Sequence, residues 1–316
     1  GKSDIKTLLL SKASHFENHA KDNELYVDVL LGVGGTISNY GALVVDAVDE
    51  RSKFEAIINR NLISAVTGDL NTHHLSNSGV LDFTSGIVAT AEGENLSLIK
   101  ARQLKVDASF TNNEQGYIET ALVTGSGELV NGGKIETADD LILDVQEFSN
   151  NKGGLVKAKS IAGLLNLQKF TNDEDSGVDA GQSLSFANTT DVINQGHMKS
   201  KAMTLVGNKT VQSGDIKAET LNLAGGYTFE NLGDIDVEQG LSLELSLLSN
   251  KGSISTGVIN CSRNLGSISN YPGALIKIRD GSLDLAKTTS LGNLGTIDAK
   301  TLSLNSDKTV LYQSGT

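Results

Sequence analysis

The sequence predicts an all-β fold, a parallel β-helix or solenoid of about fifteen coils with a period near 20 residues. Three observations predict it. A short segment with Asn or Gln, then Gly, then Ile recurs along most of the chain. Between its occurrences, apolar and polar residues alternate. The composition also suits a narrow core: Gly is high at 34, Trp is absent and aromatic residues make up 4%, so the apolar 38% comes mostly from aliphatic side chains.

The recurrence sets a register. With the amide before the glycine as anchor, the positions are Asn18, Asn39, Asn59, Asn77, Asn95, Asn113, Asn131, Asn151, Asn172, Asn194, Gln212, Asn231, Asn250, Asn270, Asn293 and Gln313. That is 15 steps over 295 residues, or 19.7 per step. Four residues after the anchor the side chain is apolar at nearly every step, as at Leu43, Ile63, Leu81, Ile135, Ile216, Ile235, Ile254 and Ile297. Asp22 and Ser176 depart from this rule. Two residues before the anchor stand Phe16, Ile37, Ile57, Leu75, Leu129, Phe170, Val192, Phe229, Leu248 and Ile268.

Between anchors the period is two. Leu241, Leu243, Leu245 and Leu247 alternate with Ser and Glu, and Leu221-Asn-Leu223, Leu283-Asp-Leu285 and Leu302-Ser-Leu304 repeat the pattern in brief. A period of two means a strand with one buried face. Ile235, Val237, Leu241 and Leu243 are expected inside, with Asp236, Ser242 and Glu244 in water. Each repeat then holds two or three short strands separated by Gly, Asn, Asp and Ser turns. Such a unit cannot bury its own apolar face, but a stack of them can. The anchor amides are expected at corners, tolerating a left-handed backbone and bonding to one another along the stack. A leucine-rich repeat needs a recurring L-x-x-L-x-L frame, which is not found here.

The unit N-x-G-x-I-x-A followed by L-x-L resembles the haemagglutinin repeat of filamentous haemagglutinins and of contact-dependent growth inhibition exoproteins. NLGDIDV (231–237), NGGKIET (131–137), NKGSIST (250–256) and NLGTIDA (293–299) carry the likeness. The resemblance implies a right-handed β-helix and the non-enzymatic shaft of a large secreted bacterial surface protein, either an adhesin or a toxin-delivery exoprotein. It also implies an outer-membrane two-partner secretion transporter as partner, with a cell-surface receptor or glycan as a further candidate. The chain is expected to be a single β-helix over residues 1–316, cut in mid-repeat at both ends: SDIK at 3–6 matches GDIK at 214–217, and QSGT at 313–316 matches QSGD at 212–215.

Composition narrows the function classes. The net charge of −12, with 26 scattered basic residues, argues against a phosphate-binding surface. No stretch reaches the roughly 18 apolar residues of a membrane-spanning helix. The single cysteine, Cys261, forms no internal disulfide and has no His close in sequence to activate it as a nucleophile.

No catalytic, cofactor-binding or metal-binding residue is assigned. His15 and His19 flank Glu17 at a spacing that would bind metal on a helix, but HFEN at 15–18 aligns with TFEN at 228–231, which puts it on a solenoid corner. His73, His74 and His197 lack ligand partners at useful spacing. The acidic runs 173–175 and 139–140 read as solvated turns. Gly32-Val-Gly-Gly35 reads as a tight turn before a strand at Thr36-Ile37. The N-x-S/T sequons at Asn95, Asn188, Asn208 and Asn260 are what chance supplies. A carbohydrate-active β-helix enzyme, a lyase or hydrolase, is the alternative. It needs aromatic platforms and clustered carboxylates, and most of the eight Phe fall at inward positions instead.

Overall fold

The computed structural model describes residues 3–19, 24–187, 189–225, 228–261, 265–279, 281–285, 288–304 and 310–314. Asp22, Asn188 and residues 315–316 lie outside them. The chain is a parallel β-solenoid divided into two compact units. One comprises Gly1–Ser149 with Gly153–Lys157, the other Asn150–Lys152 with Ala158–Thr316. The described residues contain strands and turns and no helix.

In the first unit each segment pairs in parallel with its counterpart one coil on. Thr36–Asn39 lies against the last four residues of Phe54–Asn59, and these lie against the end of Leu70–Asn77. The coil after Asn112 shows three separate strands, Tyr117–Glu119, Leu122–Thr124 and Glu128–Asn131, all paired to the long strand Leu98–Asn112. In the second unit the first two segments fuse into one bent strand. Asp234–Glu244 shifts register between Val237 and Gly240 and is followed by Leu247–Asn250.

Alternation places the core. Ile235, Val237, Leu241, Leu243, Leu245 and Leu248 are buried, while Asp236 and Glu244 are exposed. Leu247 is only half-buried, because the chain changes phase at Ser246 and Leu248 takes the inward position. Leu302 is also exposed, whereas Leu221, Leu223, Leu283 and Leu285 are inside. The aromatic bulk goes inward as well: Phe54, Phe83, Phe110 and Phe148 in the first unit, Phe170, Phe186 and Phe229 in the second. Phe170 and Phe186 meet with ring centroids 4.2 Å apart.

The amides form internal ladders. In the first unit Asn18, Asn39, Asn59, Asn77, Asn95 and Asn112 each pass an Nδ2 proton to the next Oδ1, at 2.7–2.8 Å, the last of these bonds reaching Asn131. The second Nδ2 proton reaches a backbone carbonyl, as from Asn39 to the O of Leu62, the first residue of the strand Leu62–Thr67, at 2.8 Å. In the second unit one run links Asn150, Asn172, Asn194 and Gln212, and another links Asn231, Asn250, Asn270, Asn293 and Gln313. A buried amide costs free energy unless its donors and acceptor are met, and the stack meets them at most rungs, Asn231 Oδ1 being left without a partner.

Three expectations are corrected. The ladder residues are Asn112 and Asn150, not Asn113 and Asn151. Asn112 stacks on Asn131, while Asn113 is half-buried and Asn151 exposed. Each pair of asparagines opens a longer turn, so the next inward residue comes six positions after the ladder amide (Ile118, Val156) rather than four (Ile135). The same longer turn explains Ser176. Val178 follows Asn172 by six, and Ser176 Oγ instead donates to Asn172 Oδ1 at 2.7 Å. Finally, the anchors are strand residues with ordinary backbone. Among the described residues only Ala13 and Asp175 are non-glycine with positive φ. The amides point inward because each sits two residues beyond another inward position, as Asn250 does beyond Leu248 and Gln212 beyond Thr210.

Candidate functional site

With the interior given to packing and the ladder, any chemistry must come from outward side chains. His15 and Glu17 lie on the strand His15–Asn18, not at a corner, and alternate outward with His19. Both rings converge on one carboxylate, His15 Nε2 at 2.9 Å from Oε1 and His19 Nε2 at 2.8 Å from Oε2. Those two bonds, the one from His19 foremost, hold the Glu17 carboxyl below the usual carboxylate range. His19 also stacks on Tyr40 with centroids 4.7 Å apart, and Arg60 covers Tyr40 at 5.1 Å. Among the described residues no group of three or more His, Cys, Asp or Glu side chains is arranged to hold a metal ion.

The other singled-out residues are dispersed. His74 faces Glu92 at 3.6 Å, and His197 is exposed at the start of the strand His197–Val206. Asp175, in the turn 173–176, pairs with Lys152 at 3.3 Å. Asp139 and Asp140 are exposed where the strand Asp140–Asp144 begins. Gly34 and Gly35 have φ of 88° and 82° and turn the chain into Thr36–Asn39, as expected of a tight turn. Cys261 is half-buried at the end of Ser253–Cys261. Of the sequons, Asn95 is a buried ladder residue and so closed to glycosylation, while Asn208 and Asn260 are exposed.

Several coils bend at a buried Ser or Thr whose hydroxyl donates to the carbonyl two residues on. These include Thr72 and Thr90 in the first unit and Ser200 and Thr256 in the second, at 2.6–3.0 Å. An open depression follows this bend in each unit. The one in the first unit, of about 500 Å³, has Lys53, Glu55, His73 and the ion pair Lys105–Asp107 (3.2 Å) around a floor of Thr72, Ala89 and Thr90. The second unit's, of about 390 Å³, mixes Lys199, Lys201 and Lys217 with Asp179, Glu219, Asp236 and Glu238. A third depression, also in the second unit and of about 570 Å³, is lined mostly by uncharged residues, Thr204, Asn222, Gly240, Ser242 and Asn260 among them, together with the carboxylate of Glu244.

Sequence reasoning did not single out that third depression. Its signal was present in the neutral residues between the inward leucines of Leu221-Asn-Leu223 and Leu241-Ser-Leu243, but it emerges only once the coils are placed in register. Ion pairs elsewhere link neighbouring coils, as in Lys100–Glu119 (3.1 Å) and Lys251–Glu230 (2.7 Å). Among the described residues no helix is long and apolar enough to cross a membrane. Comparison with protein-family models, with curated proteins and with solved structures finds no match to this chain.

Proposed function

We infer that this chain is a non-enzymatic shaft segment of a large secreted bacterial surface protein, an adhesin or a contact-dependent toxin carrier exported by a two-partner outer-membrane transporter. One observation carries the reading. Coil after coil rebuilds the same inward apolar layer and the same amide rung, while the outward residue at a given register position changes freely. In the second unit one outward column runs Asp179, Lys199, Lys217, Asp236. Residues are spent on repetition of the stack, as a spacer requires. The likeness of NLGDIDV and NKGSIST to the haemagglutinin repeat supplies the rest.

The test is protease digestion of intact cells of the source bacterium, followed with an antibody raised against this chain. Loss of the signal without cell lysis is expected. A signal that persists until the cells are broken overturns the surface reading. Incubation of the purified chain with a panel of polysaccharides tests the enzyme alternative, since release of new reducing ends would replace the spacer with a catalyst.

A further inference from the structure

The two coils that meet between Gln212 and Asn231 are joined differently from the rest of the second unit. Every other step from Asn150 to Gln313 carries a side-chain amide bond. At this step Gln212 Nε2 turns to Gly214 O, and Asn231 Oδ1 stays buried without a partner. Among the described residues no side-chain hydrogen bond or ion pair crosses it.

The side-chain bonds on either side lead away from the step. Before it, Asn194 donates to Gln212 Oε1 at 2.6 Å and to Asp215 O at 3.3 Å, and Ser213 Oγ donates back to Asn194 O at 3.4 Å. After it, Asn231 donates to Asn250 Oδ1 and Ser253 O, and Glu230 pairs with Lys251 at 2.7 Å. Asp236 stands in register with Lys217, yet it pairs with Arg279, two coils further on, at 3.1 Å.

The interior is also poorer there. Thr210 takes the inward place that Val192 and Phe229 hold on the coils before and after. An open depression of about 290 Å³ reaches it, with Lys209 and Val211 on one side of the step and Thr228 and Glu230 on the other. The step is held by backbone pairing and by the apolar contacts Ile216–Ile235, Leu221–Leu241 and Leu223–Leu243. Neighbouring steps have comparable contacts and the amide bond in addition.

The stability of a solenoid is close to a sum over its coils and the interfaces between them, so the interface with the fewest bonds opens first. We propose that the step between Gln212 and Asn231 is a built-in parting line, at which the second unit opens into two blocks of coils while each block stays folded. One block ends with the strand Asp215–Ala224, and the other begins with Thr228–Asn231. A solenoid with such a line yields at one fixed coil under load, not at random along its length. This goes beyond the spacer reading and does not depend on it.

The test is hydrogen exchange of the whole chain in mild denaturant, followed by mass spectrometry. Peptides covering 209–224 and 228–244 are expected to exchange faster than those covering 177–194 before them and 253–278 after them. Fraying from an end would give a steady gradient along the chain instead, and that result overturns the proposal. Gln212→Asn restores the amide bond and is expected to slow exchange about fivefold at the step, leaving the flanking coils unchanged. Two disulfides in a Cys261→Ser background provide a second reading. Asn222→Cys/Ser242→Cys ties the two coils of the step, and Thr204→Cys/Asn222→Cys ties the step before it, each across a pair in register. Oxidation of the first is expected to abolish the fast exchange, and oxidation of the second to leave it. Equal effects of the two disulfides overturn the parting line, as does exchange at the step that neither Gln212→Asn nor the first disulfide slows.

Discussion

Asn231 Nδ2 donates to Asn250 Oδ1 at 2.8 Å although 19 residues separate them in sequence, and its second proton reaches Ser253 O at 3.2 Å. Asn250 in turn donates to Asn270 Oδ1 at 2.8 Å. Asn250→Leu would therefore orphan a donor below it and an acceptor above it. Each orphaned buried group costs about 1–3 kcal/mol, which outweighs the transfer gain of the leucine. The variant is expected to lose about 2 kcal/mol in denaturant unfolding. Equal or greater stability would show that the ladder contributes nothing.

The ladder has a flaw at Gln212, and its repair can be measured. Gln212 accepts from Asn194 at 2.6 Å, but its longer side chain sends Nε2 to Gly214 O at 2.6 Å. Asn231 Oδ1, on the next coil, is left buried without a hydrogen-bond partner. Gln212→Asn would place Nδ2 where every other rung has it. Satisfying the acceptor outweighs the lost methylene, for a net gain of about 1 kcal/mol and a melting rise of about 2–4 °C. A lower melting temperature would mean that the fit of Gln212 matters more than the orphan.

These rungs mark the limit of what the sequence discloses. An inward amide every coil leaves a period of about 20 that nothing else produces, so the solenoid and most rungs are legible from residue spacing. The doubled asparagines at 112–113 and 150–151 are not, because turn length cannot be counted until the following strand is placed. The third depression, lined in part by Thr204, Asn222, Ser242 and Asn260, is hidden for a related reason. These four are dispersed over 57 residues, and only the register gathers them.

The inward and outward assignment is tested by two adjacent positions. Ile235 is buried between Ile216 and Ile254 of the flanking coils. Ile235→Asp puts a carboxylate there without a partner and is expected to cost about 4 kcal/mol or to prevent folding. Asp236 points outward and pairs with Arg279 at 3.1 Å, with half its side chain exposed. Asp236→Ala is expected to move the melting temperature by no more than about 1 °C. Similar shifts for the two variants would place the register one residue off.

Asp49 supplies a pH prediction. Arg51 holds its carboxylate with Nε and Nη2, both at 2.8 Å, and with its backbone amide at 2.9 Å. The side-chain bonds from Arg51 are the main reason its pKa falls from 3.8 to about 2. A carboxyl depressed in the folded state stabilises it above the unfolded value of 3.8. That contribution is lost as pH falls through about 2. A carboxyl-carbon NMR titration should give a midpoint near 2 for Asp49, returning toward 3.8 in Arg51→Ala. An unmoved midpoint would remove Arg51 as the cause.

Two kinds of glycine serve the turns, and a pair of substitutions at each separates them. Gly214, in the short turn after Gln212, needs no positive φ. A Cβ there would stand 1.8 Å from Gly196 O on the coil before, and the obstruction is backbone, which cannot swing aside. Gly153, the third residue after Asn150 in a long turn, has φ of 81° and open space where a Cβ would be. Asp175 holds the corresponding place, third after Asn172, with φ of 57°. Gly214 is thus required by close stacking and Gly153 by backbone conformation. Gly214→Ala is expected to cost about 3 kcal/mol, since two coils must part. Gly153→Ala should cost about 1 kcal/mol. The decisive comparison is asparagine, which tolerates the left-handed region better than alanine. Gly153→Asn should melt above Gly153→Ala, whereas Gly214→Asn should melt no higher than Gly214→Ala. If asparagine rescued both sites, or neither, the division between stacking and conformational glycines would not hold.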